Sequence, residues 1–508
     1  MTAVRVPPPS RALDVAPADA GRDEMRQGVA NAVKLGASLV ATWGIALGLR
    51  VIIPRYLGPE AFGRYQFADS FTTLVLLVTS FGLSMHLIRE VSRRPEYASE
   101  VLGGLLAVRL AASAVVMAVV AAVFWQLDRP PETRWLVVIL GVQTVVFMLN
   151  GLATSLLQAS GRVGGLAITN VVSKVLWGAG IAVAIAARAG TYGIAFALLA
   201  SEAIRAAVLF RLARRHLGYR LRLSWGPTVA ALASAAPFFV NELAYTVNSK
   251  LDMSVMSFLV PEREVGWYGA AMNVAGITLL MTPLVGSILI PILSRAAERS
   301  EEEAAELSRR SLQYVVALSV PITLFVALGA DPLVRLLFGP AFAPAARSLQ
   351  VLAPMFVLTY AAILGAVVLN VVGRGWTVTR ISLATLLITP PLYLLLIPRA
   401  ATAMGPGGAG VGAAAALVAC ETFVVAAQAV AARRFLYDRR VGAVLLKSLL
   451  IAGAVALLDV ALRGFGSLRF LPEIVLYGMA AVGLGLVDVA TVIRFVRGLV
   501  KGRRGAYA

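Results

Sequence analysis

Residues 135–157 read WLVVILGVQTVVFMLNGLATSLL, a run that holds no Asp, Glu, Lys or Arg, opens on Trp135 and is followed a few residues later by Arg162. A bilayer core about 30 Å thick needs about 20 apolar residues per helical crossing, so this run is long enough to span. The same pattern recurs along the chain. By length and apolarity about 14 stretches qualify: the first six at 32–53, 65–88, 101–125, 135–157, 166–187 and 193–210, six more at 229–259, 266–293, 312–329, 349–372, 378–397 and 411–431, and a last pair at 441–462 and 471–493.

Composition points the same way. Apolar residues make up 59% of the chain and charged ones 14%, against roughly a quarter charged in soluble domains. A water-soluble globule could not cover that much apolar surface, and no connection is long enough to form a separate domain. The fold class expected is an all-α integral membrane protein. Residues 1–30, with Pro7, Pro8 and Pro9 and no apolar run, read as a disordered tail and not as a cleavable signal peptide, whose apolar stretch would follow its basic start directly.

The single cysteine, Cys420, lies inside an apolar stretch, which excludes disulfides within the chain. His86 and His216 stand far apart with no metal-ligand spacing, and no phosphate-cradling glycine loop ending in Lys-Ser or Lys-Thr occurs. Neither a metal, a cofactor nor a built-in ATPase motor is expected. The formal charge of +19 is almost wholly arginine and crowds the ends of apolar segments, where membrane topology places it, so nucleic acid is not an expected partner.

Those arginines alternate. Arg89, Arg93 and Arg94, then Arg211, Arg214, Arg215, Arg220 and Arg222, then Arg295, Arg299, Arg309 and Arg310, then Arg433, Arg434, Arg439 and Arg440 mark one set of connections, and the C-terminal Arg494, Arg497, Lys501, Arg503 and Arg504 join it. The opposite connections carry one or two basic residues, such as Arg129 with Arg134, or Arg263. The positive-inside rule then puts both termini in the cytoplasm. Acidic Glu301, Glu302, Glu303 and Glu306 among arginines read as a solvated connector.

A weak repeat divides the chain. Pro59-Glu60 with Gly63-x-Tyr65 after the first crossing is echoed by Pro261-Glu262 with Gly266-x-Tyr268 after the seventh, and Ser160-Gly161-Arg162 by Val372-Gly373-Arg374. An offset of six crossings keeps direction, so two six-helix lobes, 31–222 and 223–440, are expected about a pseudo-two-fold along the membrane normal, with residues 441–508 forming a C-terminal helix pair and basic tail. The cleft between the lobes is the natural binding site.

Polar residues inside crossings fall into stripes at 100° per residue: Gln66, Asp69, Thr73, Ser80 and Ser84; Gln143, Asn150, Thr154 and Gln158; Asn170, Ser173, Lys174 and Trp177; Asn241, Tyr245, Asn248 and Asp252. Ser, Thr and Asn positions commonly glue helices together. A mid-membrane charge costs roughly 2.5 to 3.5 kcal/mol on insertion scales and more often marks a pathway. Arg109, Lys174, Lys250 and Asp252 are the leading cases, with Arg50 and Asp69 as further cavity candidates; Lys250 points nearly opposite to Asp252, and Glu202 with Arg205 can neutralise each other. If the cations share a cleft, its field attracts anions such as a diphosphate.

The run Arg55-Tyr56-Leu57-Gly58-Pro59-Glu60-Ala61-Phe62-Gly63-Arg64-Tyr65, with Gly82-Leu83-Ser84 and Arg89-Glu90, resembles polysaccharide flippases of the multidrug/oligosaccharidyl-lipid/polysaccharide exporter superfamily. Leu156-Leu157-Gln158-Ala159-Ser160-Gly161-Arg162, Leu337-Phe338-Gly339-Pro340-Ala341-Phe342 and Lys250-Leu251-Asp252 through Tyr268 resemble further segments, so the likeness extends from about Asn31 to the end. It implies a transporter, not an enzyme, that flips undecaprenyl-diphosphate-linked oligosaccharide across the bacterial cytoplasmic membrane by alternating access. Membrane lipids, a polysaccharide polymerase and glycosyltransferases are the partners it implies. The first crossing lacks the acidic residue of many drug/cation antiporters, and Arg50 stands there without the mixed charges common in peptidoglycan lipid flippases. A membrane polysaccharide polymerase or ligase would be expected to carry a large outward loop with catalytic basic residues. Reporter fusions after Arg222 and Arg440 are expected to read cytoplasm, and fusions near Arg129 and Gly407 the outside; the reverse pattern would overturn the orientation.

Overall fold

The computed structural model describes residues 18–127, 129–161, 163–277 and 282–486, with side chains from Thr42 onward except at 163, 237, 241, 244, 245 and 282–288. The basic C-terminal tail lies outside the described residues, as do residues 1–17 of the N-terminal one.

Among the described residues there are eighteen α-helices and no strand. The first lobe comprises α1 (Ala18–Leu76), α2 (Leu83–Arg93), α3 (Tyr97–Gln126), α4 (Pro131–Ala159), α5 (Val163–Ala186) and α6 (Gly190–Leu217). There follow α7 (Trp225–Leu259), α8 (Glu262–Ala275), α9 (Thr282–Arg299), α10 (Glu301–Leu328), α11 (Ala330–Phe338), α12 (Ala345–Leu352) and α13 (Met355–Val371). The remainder are α14 (Gly375–Met404), α15 (Gly408–Ala431), α16 (Arg433–Leu436), α17 (Arg439–Leu462) and α18 (Phe470–Gly483).

Nine helical segments among the described residues are each long and apolar enough to cross a bilayer. One of these, Arg439–Gly483, is two crossings, α17 and α18, joined by a 3-10 turn at Arg463–Arg469. Bends conceal the others. Gly58, at φ 74° and ψ 171°, breaks α1 between the first crossing and the second, and α2 completes the second across a 48° bend. With α7 as the seventh and α8 plus α9 as the eighth, the helices follow the expected series of about 14 crossings.

In the N-terminal tail, 18–30 runs as helix continuous with the first crossing; Ala, Glu, Met, Arg and Gln there are good helix formers, and the stretch extends a helix already nucleated. The acidic connector does form a solvated helix start: Ser300 caps α10, accepting from the Glu303 N–H at 3.0 Å, and Arg299–Glu303 and Arg310–Glu306 pair on its exposed face.

The core is divided unevenly. At the end opposite the arginine-rich connections, one buried apolar cluster joins the repeats, with Phe62, Phe67 and Leu140 packed together with Trp267, Tyr268, Phe342 and Leu349. At the arginine-rich end there are two separate clusters, one around Leu87, Leu102, Leu156 and Leu209, the other around Leu293, Leu312, Leu369 and Leu436. The protein is therefore closed at one end and split at the other.

The closed end turns on two glycines. A Cβ at Gly63 would sit 1.8 Å from the Glu262 carbonyl oxygen, and one at Gly266 1.8 Å from that of Pro59. These are reciprocal contacts between echoed motifs, each glycine facing the carbonyl four residues before the other, as a two-fold relation generates. Small residues permit such backbone approach in membranes, where burial of apolar surface drives little helix association. Adding one methyl is a backbone clash costing about 1–3 kcal/mol. Gly63→Ala and Gly266→Ala are each expected to loosen this end: with Cys420→Ser as background, a Gln66→Cys probe just beneath the contact should gain reactivity toward an impermeant thiol reagent. Unchanged labelling would show that the closure does not depend on the glycines.

Candidate functional site

Beneath the glycine contact the lobes are joined in layers. Arg64 lies 2.8 Å from Glu132 and 3.6 Å from Glu262, linking the second, fourth and eighth crossings. Thr133 donates to Glu262 at 3.3 Å, and Thr191 to Glu132. One turn deeper, Gln66 and Ser70 reach the Met253 sulfur at 3.5 and 3.7 Å. Deeper still, Lys250 Nζ donates to Asp69 Oδ2 at 2.7 Å, bridging α1 and α7.

That ion pair is the floor of a half-enclosed cavity of about 540 Å³, lined by Asp69, Thr73, Ser80, Ser84, Arg109, Gln143, Asn150, Thr154, Arg205, Glu242, Thr246 and Lys250, with Leu77, Phe147 and Met148. The lining extends from the closed end toward the arginine-rich end, along the second, third, fourth, sixth and seventh crossings. Among the described residues α7 is the single contribution from the second lobe.

Arg109 is buried, and all three of its nitrogens donate to backbone carbonyls. Nε donates to the Thr79 carbonyl at 2.9 Å, one terminal nitrogen to Met148 at 3.0 Å, and the other to Ser80. Thr79 and Ser80 stand where α1 gives way to a 3-10 turn before Phe81 and Gly82, at φ 54° and 65°, restart the chain as α2. A helix broken at membrane depth leaves carbonyls without intrahelical partners, each costing several kcal/mol unless satisfied. The guanidinium satisfies them, so Arg109 latches the break and presents only its remaining surface to the cavity.

The other side chains divide. Glu202 and Arg205 pair at 3.3 Å as expected; Asn150 donates to Glu202 at 2.7 Å, and Arg205 to Asn170 at 2.8 Å. Lys174 lies over the Trp177 ring, 4.7 Å from its centroid, outside the cavity lining. Arg50 is half-buried near Gly276, also outside the lining, and its carbonyl accepts from Asn273 at 3.0 Å. Asp252 is buried, accepting from Tyr268 at 2.8 Å and from the Met253 N–H at 2.7 Å, on the other side of α7 from Lys250. Asn248 is half-buried and outside the lining. The side chains of Asn241 and Tyr245 lie outside the described residues.

The structure thus brings together Asp69, Arg109 and Lys250 from the sequence-derived candidates, and not Arg50, Lys174 or Asp252. It adds Arg205 and Glu242. The latter was legible: Glu242, Thr246 and Lys250 stand at i, i+4 and i+8, one stripe of a helix, but the neighbouring stripe ending at Asp252 draws the eye first.

Comparison with known proteins decides the family. The profile described as polysaccharide biosynthesis protein matches residues 52–347, more than half of the chain. The chain belongs to this family. Its match covers the motif run from the first crossing to Phe342, so the resemblance to polysaccharide flippases read from those motifs is borne out. A "probable low-salt glycan biosynthesis flippase", Agl15 of Haloferax volcanii, is 22% identical over 314 residues, 59% of this chain; the chain spans 62% of that relative's length. Among solved structures, the lipid II flippase MurJ in an inward closed conformation superposes with a TM-score of 0.69 at 13% identity, covering 92% of this chain and all of that one. An inward-facing multidrug resistance MATE family transporter of the MOP superfamily gives 0.59 at 15% identity over 79% of this chain and 94% of its own. At those identities the likeness is one of fold, a multi-pass transporter fold.

The Asp69–Lys250 pair can be tested by a double-mutant cycle. Removing either partner leaves the other half-buried and unpaired, at a cost of about 1–3 kcal/mol. Asp69→Asn and Lys250→Gln are each expected to lower the unfolding temperature in detergent, and the double variant to recover most of that loss. Additive losses would show that the two do not act as a pair.

Proposed function

We propose that this protein flips undecaprenyl-diphosphate-linked oligosaccharide across the bacterial cytoplasmic membrane, acting as a transporter without catalytic chemistry of its own. The observation that carries this reading is the polar, half-enclosed cavity, bearing Arg109, Arg205 and Lys250, in a protein closed at one end and split at the other. Its volume, about 540 Å³, suits a diphosphate with its first sugar. The lipid tail stays in the bilayer. Family membership, and a relative named as a glycan biosynthesis flippase, support the same class of cargo.

In this reading the arginine-rich side is cytoplasmic and the cavity loads from that side. The lobes, 31–222 and 223–440, rock against each other, and the pair in 441–508 packs beside them. Lys250 is shared between Asp69 and the diphosphate. As the anion takes the ammonium, the Asp69 bond that holds α1 to α7 is released, and binding energy is spent on loosening the closed end. Arg205 is the second point of contact, through a guanidinium able to grip phosphate in a bidentate way. Hydroxyls and amides of Thr73, Ser84, Gln143 and Thr154 suit the sugar.

Flipping is measured as outer-leaflet appearance of lipid-linked oligosaccharide in cells depleted of the native protein, with expression matched. Lys250→Gln and Arg205→Gln each remove a charged hydrogen bond, about 1.5–3 kcal/mol, and should slow flipping roughly tenfold to a hundredfold. Arg109→Gln is expected to lower the unfolding temperature as well, because it unlatches the helix break. Full flipping by the Lys250→Gln, Arg205→Gln double variant would refute the cavity assignment. If its loss is confined to peptidoglycan precursor or to cationic drugs, the lipid II or antiporter reading replaces this one.

A further inference from the structure

A second cavity, about 340 Å³, opens at the arginine-rich end, lined by Arg374, Val430, Ala431, Arg433, Arg434 and Phe435. It lies outside the transport cavity, where α15 gives way to the short α16 and the chain enters α14. Two guanidiniums fix its frame. Arg374 donates to the Ala431 carbonyl at 3.0 Å, and Arg309 to the Arg434 carbonyl at 2.7 Å, satisfying carbonyls at the α15 terminus and in α16. The Arg433 and Arg434 side chains are exposed and, among the described residues, stand in no ion pair.

Their neighbours on this face differ. Arg299 meets Glu303 at 3.0 Å, Arg310 meets Glu306 at 2.8 Å, and Arg440 lies 3.9 Å from Glu306. Arg433 and Arg434 therefore keep their charge at the cavity, where those three neighbours are compensated by carboxylates. Beside it are large exposed apolar side chains, Val430 at 74% and Trp376 at 79% exposure. Trp376 stands two residues from Arg374 in the first turn of α14, where an amphipathic ring marks the level of the headgroups. Cations at headgroup depth against an apolar wall match one kind of ligand in both of its parts.

We propose that this cavity binds the headgroup of an anionic glycerophospholipid from the leaflet on the arginine-rich side. The phosphate lies among Arg374, Arg433 and Arg434, whose forks suit bidentate contact with its oxygens. An acyl chain lies along Val430 and Trp376. A soluble phosphate would use only the cations and would leave the apolar wall exposed.

The test is native mass spectrometry of the full chain, delipidated in detergent and titrated with phosphatidylglycerol or phosphatidylcholine. The wild type is expected to retain phosphatidylglycerol in preference. Arg433→Gln with Arg434→Gln, which disturbs no side-chain bond to the frame, should weaken retention about tenfold or more, as loss of two charge-assisted contacts requires. Arg299→Gln with Arg310→Gln removes the same charge from the same face and should leave retention unchanged. Equal weakening in both variants, equal retention of phosphatidylcholine, or displacement by millimolar inorganic phosphate would each overturn the proposal, pointing to diffuse charge, to apolar contact alone and to a soluble-anion site respectively. None of these readouts depends on flipping.

Discussion

Two backbones meet at Gly63 and Gly266 with no space for a side chain between them, and most of the arrangement below follows from that contact. Helices this close must be positioned by backbone shape, since neither glycine has a side chain to adjust. The reciprocity matters as much as the distance. Because each glycine faces a carbonyl in the other repeat, the contact fixes both the separation and the rotation of the second and eighth crossings. Everything one or two turns deeper is then set: Arg64 falls between Glu132 and Glu262, Met253 beneath Gln66 and Ser70, and Lys250 against Asp69. The cavity begins where this stack ends.

A second constraint acts at the other end of the same crossing. The second crossing does not run straight: it loosens into a 3-10 turn at Leu77–Thr79 and bends before α2, and a bend of this kind in a low-dielectric medium is tolerated only if its freed carbonyls find donors. Arg109 supplies two, to Thr79 and Ser80, and gives a third to the Met148 carbonyl of α4. Its charge is spread over carbonyl dipoles, a form of solvation by backbone that, with Glu242 across the cavity, lets a guanidinium be buried without a direct ion pair among the described residues. An intramembrane cation can therefore be retained for architecture, and insertion cost alone does not separate the two roles.

That is why the fold was more legible than the site. Run length and the alternation of arginines follow from bilayer thickness and hydration, which every crossing obeys by itself, so residues 135–157 could be read without knowing their neighbours. Even the second crossing, which bends near Gly82, kept an apolar run long enough to be read as one span. Helical periodicity placed Asp69, Thr73, Ser80 and Ser84 on one face, and they do line the cavity. Which of two faces of α7 turns inward is a different question, decided by packing against Tyr268 and Asp69 from other crossings. Asp252 and Lys250 are two residues apart and equally charged in magnitude, yet one is bound to a buried tyrosine and the other reaches the cavity. Lys174 likewise found a ring on its own helix, a contact that a stripe of polar residues does not foretell.

The distribution of charge along the chain explains the position of the cavity. Arg109, Lys174, Glu202, Arg205, Glu242, Lys250 and Asp252 all precede the eighth crossing, whereas the stretches 266–293, 312–329 and 349–372 contain no charged residue. The repeats share a backbone plan without sharing chemistry. A two-fold pair of lobes would place its cleft on the axis, but a cleft needs polar side chains to stay hydrated, and the described lining draws them from the first lobe and α7. The cavity accordingly lies to one side, with α7 as its wall toward the second lobe. Since α7 carries Lys250 toward the cavity and Asp252 toward Tyr268, the orientation of that one helix decides which charge faces the polar space. The divergence of the repeats thus sets the cation-bearing cavity beside the seam where α1 and α7 meet, while the second lobe keeps its own charges, Arg380 and Glu421, in later crossings.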